Sequence, residues 1–211
     1  MPYLLRVELP DVPGSLGRVA TAIGEAGGDI EAIEIVEHRR DGTAVDDVLL
    51  ETAPGVMPDS IVSACNQLDG VQVLYVSRYG AGGNLFLDLE AVEAMTQDPV
   101  TALDQLVELL PMTFRSDWAV RVQRTGGGIK VVHSTSAAPD IGDDQADWFP
   151  IKKARRLDAP AAWDSLVAAA QVESEDELVA FGRRGGPEVL DSELARLHHL
   201  TALALSIART R

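Results

Sequence analysis

Hydrophobic and polar residues follow two regular periods in the first 80 positions of the chain. From Tyr3 to Leu9, apolar side chains recur at every second residue, which predicts a strand with one buried face. From Leu16 to Ile23 they recur at every third or fourth residue, which predicts an amphipathic helix. The same two patterns predict further strands at 30–38, 44–52 and 71–78, and a second helix from 58 to about 69.

The order of these elements predicts the fold of the N-terminal part. Gly27 and Gly28 end the first helix, and the pair Asp41 and Gly42 predicts a hairpin between the second and third strands. Two split β-α-β units then give an α+β domain of ferredoxin-like type, with four antiparallel strands and both helices on one face. The other face must be solvated, covered by another domain or used in self-association.

The remainder of the chain predicts a second α+β domain with an antiparallel sheet. A glycine-rich linker at 80–84 separates the two, so we predict a first domain at 1–80, a linker and connecting helix at 81–98, and a second domain at 99–211. The predicted elements of the second domain are a helix behind Asp98 and Pro99, strands at 118–123 and 129–133 joined by a glycine turn, a long polar excursion at 134–159, a helix at 161–170, a strand at 178–181 and a final helix from 191.

The turn from Asp11 to Leu16 is the most informative stretch for function. Asp11 has a short carboxylate that can cap the coming helix, Pro13 fixes φ near its helical value, and Gly14 allows close approach to its backbone. A strand-to-helix turn presents backbone donors and a positive helix end to an anionic group. The turn therefore suits the α-carboxylate of an amino acid, and the same residue types also suit a turn that binds nothing.

Residues 5–76 resemble an ACT domain, a small β-α-β-β-α-β module of amino-acid metabolism. The resemblance depends on the D-x-P-G-x-L motif at 11–16 and on the run from Gly27 to Ile33 that enters the second strand. It implies that an effector amino acid binds against Gly14, at an interface between two domains. Where the family often has Asn, this chain has Asp29, which exchanges an amide for a carboxylate that only accepts hydrogen bonds. The ligand-binding residues that we predict are Asp11, Val12, Gly14, Ser15, Leu16, Asp29 and Ile30.

Residues 99–208 resemble a GAF domain, chiefly through the run from Glu177 to Arg184 and the helix beginning at Asp191. This resemblance implies a small-molecule pocket between the sheet and the excursion at 134–159. No residue there commits such a pocket to a particular ligand, and the absence of a cysteine from this half excludes a thioether-linked bilin. A GAF-like fold that serves only for dimerisation is the alternative.

Composition and charge exclude several classes of function. The net charge of −15 argues against nucleic acid and against anionic membrane surfaces as partners. No apolar run approaches the roughly 18–20 residues that span a bilayer, and no secretion signal is evident, so we expect a cytoplasmic protein. The single cysteine, Cys65, lies on the apolar face of the second helix and is predicted to be a small buried hydrophobic residue.

The sequence offers no recognisable catalytic motif. The four histidines lack the spacing of a metal site, and Asp46 and Asp47 point to opposite faces of one strand, so they form no acid–base dyad. We therefore expect no enzyme activity, no metal and no cofactor.

Two functional hypotheses remain from the sequence. The first is an allosteric regulatory protein that senses an amino acid and changes its association, most simply as a homodimer through the ACT domain. The second is an interaction module without a ligand, in which two sheets join side by side and the second domain meets a metabolic or signalling protein.

Overall fold

The computed structural model describes residues 2–78 and 84–210, with the backbone alone at 84–86. The chain divides into two compact units, Met1–Ala81 and Gly82–Arg211. Residues 80–83 of the predicted linker lie outside the described residues.

The first unit has the predicted order of elements. It comprises β1 (Pro2–Pro10), α1 (Ser15–Glu25), β2 (Gly28–His38), β3 (Thr43–Thr52), α2 (Pro58–Asn66) and β4 (Gln72–Arg78). The strands form one sheet in the order β2-β3-β1-β4, and every neighbouring pair is antiparallel. The predicted ferredoxin-like arrangement is therefore confirmed.

One face of this sheet forms the core with both helices. The buried residues are Leu5, Val7 and Leu9 of β1, Val48 and Leu50 of β3, Val19 and Ile23 of α1, Ile61 and Cys65 of α2, and Val71 before β4. Gly28 lets β2 pass directly under α1 and α2, since a Cβ there would overlap Ile23 and crowd Ile61. Cys65 is buried as predicted, and this burial raises the pKa of its thiol.

The opposite face of the sheet holds a buried ion pair. Arg6 of β1 is directly opposite Asp47 of β3 and donates from Nε and Nη2 to its two carboxylate oxygens, at 2.7 and 2.9 Å. Asp46 lies on the other face, opposite Val7, because successive side chains of a strand alternate. The sequence prediction that Asp46 and Asp47 do not face one another is confirmed.

The second unit is a five-stranded antiparallel sheet with helices. Its elements are α3 (Asn84–Gln97), a short 3-10 helix (Pro99–Thr101), α4 (Ala102–Thr113), β5 (Trp118–Thr125), β6 (Gly128–Ser134), a 3-10 helix (Asp143–Trp148), β7 (Ala154–Leu157), a 3-10 turn (Ala161–Trp163), β8 (Ser165–Gln171), β9 (Glu177–Arg184) and α5 (Asp191–Arg209). The sheet order is β6-β5-β9-β8-β7.

One expectation for the second unit needs correction, and one strand is absent from the predicted elements. The helix predicted at 161–170 is wrong, because residues 165–171 form β8, and β7 was not foreseen. The alanines of β8 are good helix formers, but burial on both faces between β9 and β7 overrides that preference. The helix predicted as a connector at 81–98 exists as α3, and its Met95 belongs to the core of the second unit.

Both faces of the second sheet are covered by hydrophobic cores. On one face, Ala119, Val179 and Phe181 pack with α4 and α5. On the other, the excursion folds back over the sheet, and Trp148 and Ile151 join strand residues that include Trp118. Trp163 meets the rings of both Trp118 and Trp148 edge to face, with centroids 5.7 and 6.0 Å away. Gly182 lies opposite Trp118, and a side chain there would overlap the indole.

A buried arginine joins the elements on the helical side of the second unit. Arg183 at the end of β9 is only 4% exposed. Its Nη2 donates to the carbonyl of Phe114 at 2.7 Å and to Glu193 of α5 at 2.6 Å, while Nη1 donates to the carbonyl of Pro187 at 3.2 Å. The other oxygen of Glu193 accepts from the N–H of Leu190 at 2.9 Å, so this buried charge has a full set of partners.

Candidate ligand-binding site

A cavity of about 340 Å³ opens where β1 passes into α1. Its wall is formed by residues 9–16, together with Ile35 of β2 and Ala44 and Asp46 of β3. The volume is at the lower end of the range for small-molecule sites. All of its lining belongs to the first unit, and it includes the whole turn that the sequence singled out.

The turn leaves backbone donors available at the start of α1. Gly14 has φ of 92°, a left-handed conformation that glycine adopts without strain, and a Cβ at this position would meet no atom within 4 Å. Its role is therefore conformational. The N–H of Ser15 bonds to the carbonyl of Val12 at 3.2 Å, whereas the N–H groups of Leu16 and Gly17 have no acceptor among the described residues.

Asp11 does not cap the helix, so that prediction is wrong. No side chain caps α1, and the Asp11 carboxylate instead lies 2.8 Å from Nδ1 of His38 at the end of β2. The Asp11 N–H also donates to the carbonyl of Gly42 at 2.8 Å. These two contacts attach the turn to the β2–β3 hairpin.

Two buried polar atoms in this cavity have no partner. Oγ of Ser15 and Oδ1 of Asp46 are both enclosed, and neither has a hydrogen bond to any part of the chain that the structure describes. Each residue is only 2% exposed. Most buried polar atoms in folded proteins have a partner, and an unsatisfied one costs about 1–3 kcal/mol. Both residues belong to the lining of the cavity.

The surroundings of Asp46 disfavour its charge. Burial raises the pKa of this carboxyl above its ordinary value of 3.8, and His38 opposes that shift while Asp11 and Asp47 add to it. His38 is engaged by Asp11, and Arg6 is engaged by Asp47 on the opposite face. The cavity lining itself contains no Lys, Arg or His.

The structure brings together five of the seven predicted ligand-binding residues. Asp11, Val12, Gly14, Ser15 and Leu16 all line the cavity. In the same chain, Asp29 and Ile30 lie at the far end of the sheet, where Asp29 is opposite Glu51 of β3. Glu51 is five positions from Asp46, or about 17 Å along a strand. Ile30 also packs against the core of its own unit.

Sequence reasoning missed Asp46 as a site residue. Its signal was present: Ala44, Val48 and Leu50 share its face of β3, so a carboxylate occupies a position where the alternation calls for an apolar side chain.

A second cavity, of about 220 Å³, lies within the excursion of the second unit and is lined by residues that include Asp144, Asp147, Arg155 and Asp158. Arg155 and Trp148 in its lining bond within the chain. Arg155 donates to the carbonyls of Asp147 and Trp148 at 3.0 Å, and the Trp148 indole donates to the carbonyl of Asp158 at 3.0 Å. Between the sheet and the excursion, where we expected a ligand pocket, the structure places the aromatic core around Trp118 and Trp148.

Across residues 2–78 and 84–210, no three His, Cys, Asp or Glu side chains cluster in a way that could hold a metal ion. No helix in the described part of the chain is long and apolar enough to cross a membrane.

Comparison with known proteins gives a match for part of the first unit. Residues 3–56 match the family model of the ACT domain. A curated relative, NAD-dependent malic enzyme 1 of Bacillus subtilis (strain 168), is 64% identical over 33 residues, which is 16% of this chain. The match spans 8% of the length of that enzyme.

Among solved structures, similar folds include two GAF domains. One, from a putative sensor histidine kinase of Pseudomonas syringae pv. tomato, has a TM-score of 0.42 and 11% identity, and covers 58% of this chain and 83% of its own. The other, from an Acinetobacter phosphoenolpyruvate-protein phosphotransferase, has a TM-score of 0.42 and 8% identity, and covers 58% of this chain and 92% of its own.

Proposed function

We propose, because residues 3–56 match the ACT domain family, that this chain is a regulatory protein that binds a small molecule, an amino acid, through that domain. In this proposal the ligand occupies the cavity at the turn from Asp11 to Leu16. Its binding changes the association of the ACT domain with a second copy of the chain.

The observation that carries the proposal is the pair of unpartnered buried atoms in the cavity. Ser15 Oγ and Asp46 Oδ1 lack hydrogen bonds within the described residues, and the N–H groups of Leu16 and Gly17 at the positive end of α1 have no acceptor there either. A ligand with a carboxylate and hydrogen-bond donors would satisfy all of these groups. The cost of leaving them unsatisfied therefore becomes part of the binding free energy.

In this proposal, ligand binding affects association with a second copy through exposed residues at the rim of the cavity. Val12 is 57% exposed and Ile35 is 51% exposed, and both line the cavity. A bound ligand between them would complete a surface on which a second copy can pack, and Asp29 of that copy could then reach the ligand. Ligand then shifts the population towards the associated form by as much as its affinities for the two forms differ.

The proposal is tested by a thermal-shift screen of the full chain against the twenty amino acids, followed by sedimentation velocity with each compound that binds. A ligand at 100 times its Kd should stabilise the protein by about 2.7 kcal/mol. We expect at least one amino acid to raise the melting temperature and to change the sedimentation coefficient. If none of the twenty stabilises the protein, the ligand-binding proposal fails.

Matched variants assign the response to the cavity. Val12→Trp places a large ring at the exposed rim and should abolish the shift, whereas Met57→Trp places the same ring at another exposed site, 64% exposed, outside the lining. An equal response of both variants to the ligand would place the binding site elsewhere.

A second candidate function is an interaction module without a ligand. The positions of β2 and β4 support it, because they are the two ends of the first sheet and can each accept another strand. A constant association state across all amino acids would favour this candidate.

The proposal assigns no catalytic step to the chain. The hydroxyl in the cavity, Ser15 Oγ, has no hydrogen bond to a base within the described residues.

A further inference from the structure

The wall of the cavity contains a buried carboxylate, Asp46, whose Oδ1 has no hydrogen-bond partner among the described residues. Asp46 is opposite Val7 of β1 and Ile35 of β2, so its neighbours across both strands are apolar. It is 2% exposed, and its Oδ1 has no partner in the described chain. A buried carboxylate in such surroundings is stabilised by a cationic or hydrogen-bond-donating group.

The nearby cations are committed to other carboxylates. Arg6 makes two hydrogen bonds to Asp47 on the opposite face of the sheet, and His38 is paired with Asp11. The lining holds no Lys, Arg or His, so a ligand in this cavity could supply the group that completes Asp46.

The turn at the start of α1 has hydrogen-bond donors to satisfy, whereas Asp46 is an acceptor. Leu16 and Gly17 present unbonded N–H groups at the N-terminus of α1, an 11-residue helix, and Ser15 Oγ lies in the same cavity without a partner. These groups suit an anionic oxygen. The cavity thus offers a donor end at α1 and an acceptor end at β3.

The rest of the wall limits the size and charge of the ligand. Leu9, Val12, Leu16, Ile35 and Ala44 give it apolar sides, and the volume is about 340 Å³. A second carboxylate on the ligand would find no cationic side chain in the lining and would lie close to Asp46 and Asp11. A small apolar side chain fits these walls best.

We propose that Asp46 is the specificity-determining residue of this cavity, and that it binds the ammonium group of a small, apolar α-amino acid whose carboxylate lies at the start of α1. This inference depends on the proposed function and deepens it. It predicts selection against 2-hydroxy acids, which lack the ammonium, and against acidic amino acids, which add a second negative charge.

The test is a calorimetric titration of the full chain with matched compounds. The probes are L-alanine, L-valine and L-leucine, their 2-hydroxy acid counterparts, and L-aspartate and L-glutamate. We expect at least one of the apolar amino acids to bind about 10- to 100-fold more tightly than its hydroxy acid, the range for one charged hydrogen bond. L-Aspartate and L-glutamate should bind at least about 10-fold more weakly than the best apolar amino acid.

Two variants assign this preference to Asp46. Asp46→Asn keeps the size and removes the charge, and should bring the amino acid and its hydroxy acid to similar affinities. Glu51→Gln makes the same kind of change at an exposed position of the same strand, outside the lining, and should keep the preference.

The outcomes separate this inference from the proposed function. If an amino acid binds but its hydroxy acid binds equally well, or if Asp46→Asn retains the preference, the role of Asp46 is overturned while ligand binding stands. Acidic amino acids that bind as tightly as the apolar ones overturn the stated ligand class. Failure of every amino acid to bind overturns both proposals.

Discussion

The two units fill the space beside their sheets in different ways. In the first unit, a cavity remains between β3 and the start of α1, and its wall carries unpartnered polar atoms. In the second, the excursion closes over the sheet, and Trp118, Trp148 and Trp163 occupy the space with their own rings. The comparison teaches that the first unit leaves an open cavity beside its sheet, whereas the second fills the corresponding space with its own side chains.

Two buried charged residues, Arg183 in the second unit and Asp46 in the first, differ in how fully the chain supplies their hydrogen-bond partners. Arg183 of the second unit is surrounded by carbonyls and the Glu193 carboxylate, so its burial is compensated within the chain. Asp46 of the first unit is buried to a similar degree, and the chain leaves its Oδ1 without a hydrogen bond. A compensated charge maintains the fold, whereas an uncompensated one lowers its stability.

The largest expected effect is a loss of stability on removing one ring from the aromatic core of the second unit. Trp118→Ala removes a fully buried indole and should destabilise the second unit by about 4 kcal/mol, because the rings around it cannot collapse into the space. Urea unfolding followed by tryptophan fluorescence measures this directly, since the remaining tryptophans, Trp148 and Trp163, are both in the second unit.

Leu166→Ala on β8 is the matched control for this change. Leu166 is 42% exposed, so its truncation should cost well under half as much. Equal losses from the two variants would mean that the aromatic core is loosely packed, and the comparison of a filled with an open unit would fail.

The next largest expected effect is a loss of stability on removing one partner of the buried ion pair in the first unit. Asp47→Ala removes the carboxylate from the buried Arg6 pair and should destabilise the first unit by about 3 kcal/mol, as is typical when one partner of a buried pair is lost. Hydrogen exchange of the β1 and β3 amides measures the loss. The double variant Arg6→Met with Asp47→Leu replaces the pair by apolar groups and should remain within about 1 kcal/mol of the parent. A double variant as unstable as the single one would show that the charges themselves are required.

The smallest expected effect is a gain in stability, and it comes from a change at Asp46, the residue next to Asp47. Because burial raises the pKa of Asp46, the native state holds its proton more tightly than the unfolded chain does. The parent therefore loses stability as the pH rises from about 3.8 through the raised pKa. Asp46→Asn should be more stable than the parent by on the order of 1 kcal/mol at pH 7, and this advantage should vanish below about pH 4.

Denaturant titrations of both proteins between pH 3 and pH 8, read by hydrogen exchange of β3, measure this difference. An advantage that is constant with pH would contradict an ionisation effect at Asp46.

The fold of the first unit was predictable because its periods are unambiguous. In β1 apolar residues recur at every second position from Tyr3 to Leu9, with Leu4 in addition, α1 repeats every third or fourth residue, and Gly27 and Gly28 follow its end. In the second unit, β8 was not predictable from its alanines, since the choice between helix and strand depends on neighbours that come from β7 and β9. The aromatic core could not be foreseen either, because Trp148 in the excursion and Trp163 after it follow no regular period.

The candidate site was predictable in its location and only partly in its chemistry. The turn at 11–16 lines a cavity, yet the partner of Asp11 is His38, which lies 27 positions away in the sequence. Asp46 became significant only when its neighbours across β1 and β2 were known to be apolar. Local patterns identify a turn, whereas the pairing of charges is decided by which strands become neighbours.

The contact between Gly182 and Trp118 constrains how this sequence can diverge. The two residues are opposite each other on β9 and β5, and the indole occupies the space that a side chain at 182 would need. A larger residue at 182 is therefore tolerated only after the residue at 118 becomes smaller, and the void left by a smaller residue at 118 favours a larger one at 182. In descendants of this sequence we expect the two positions to exchange volume together while the register of β5 and β9 is kept.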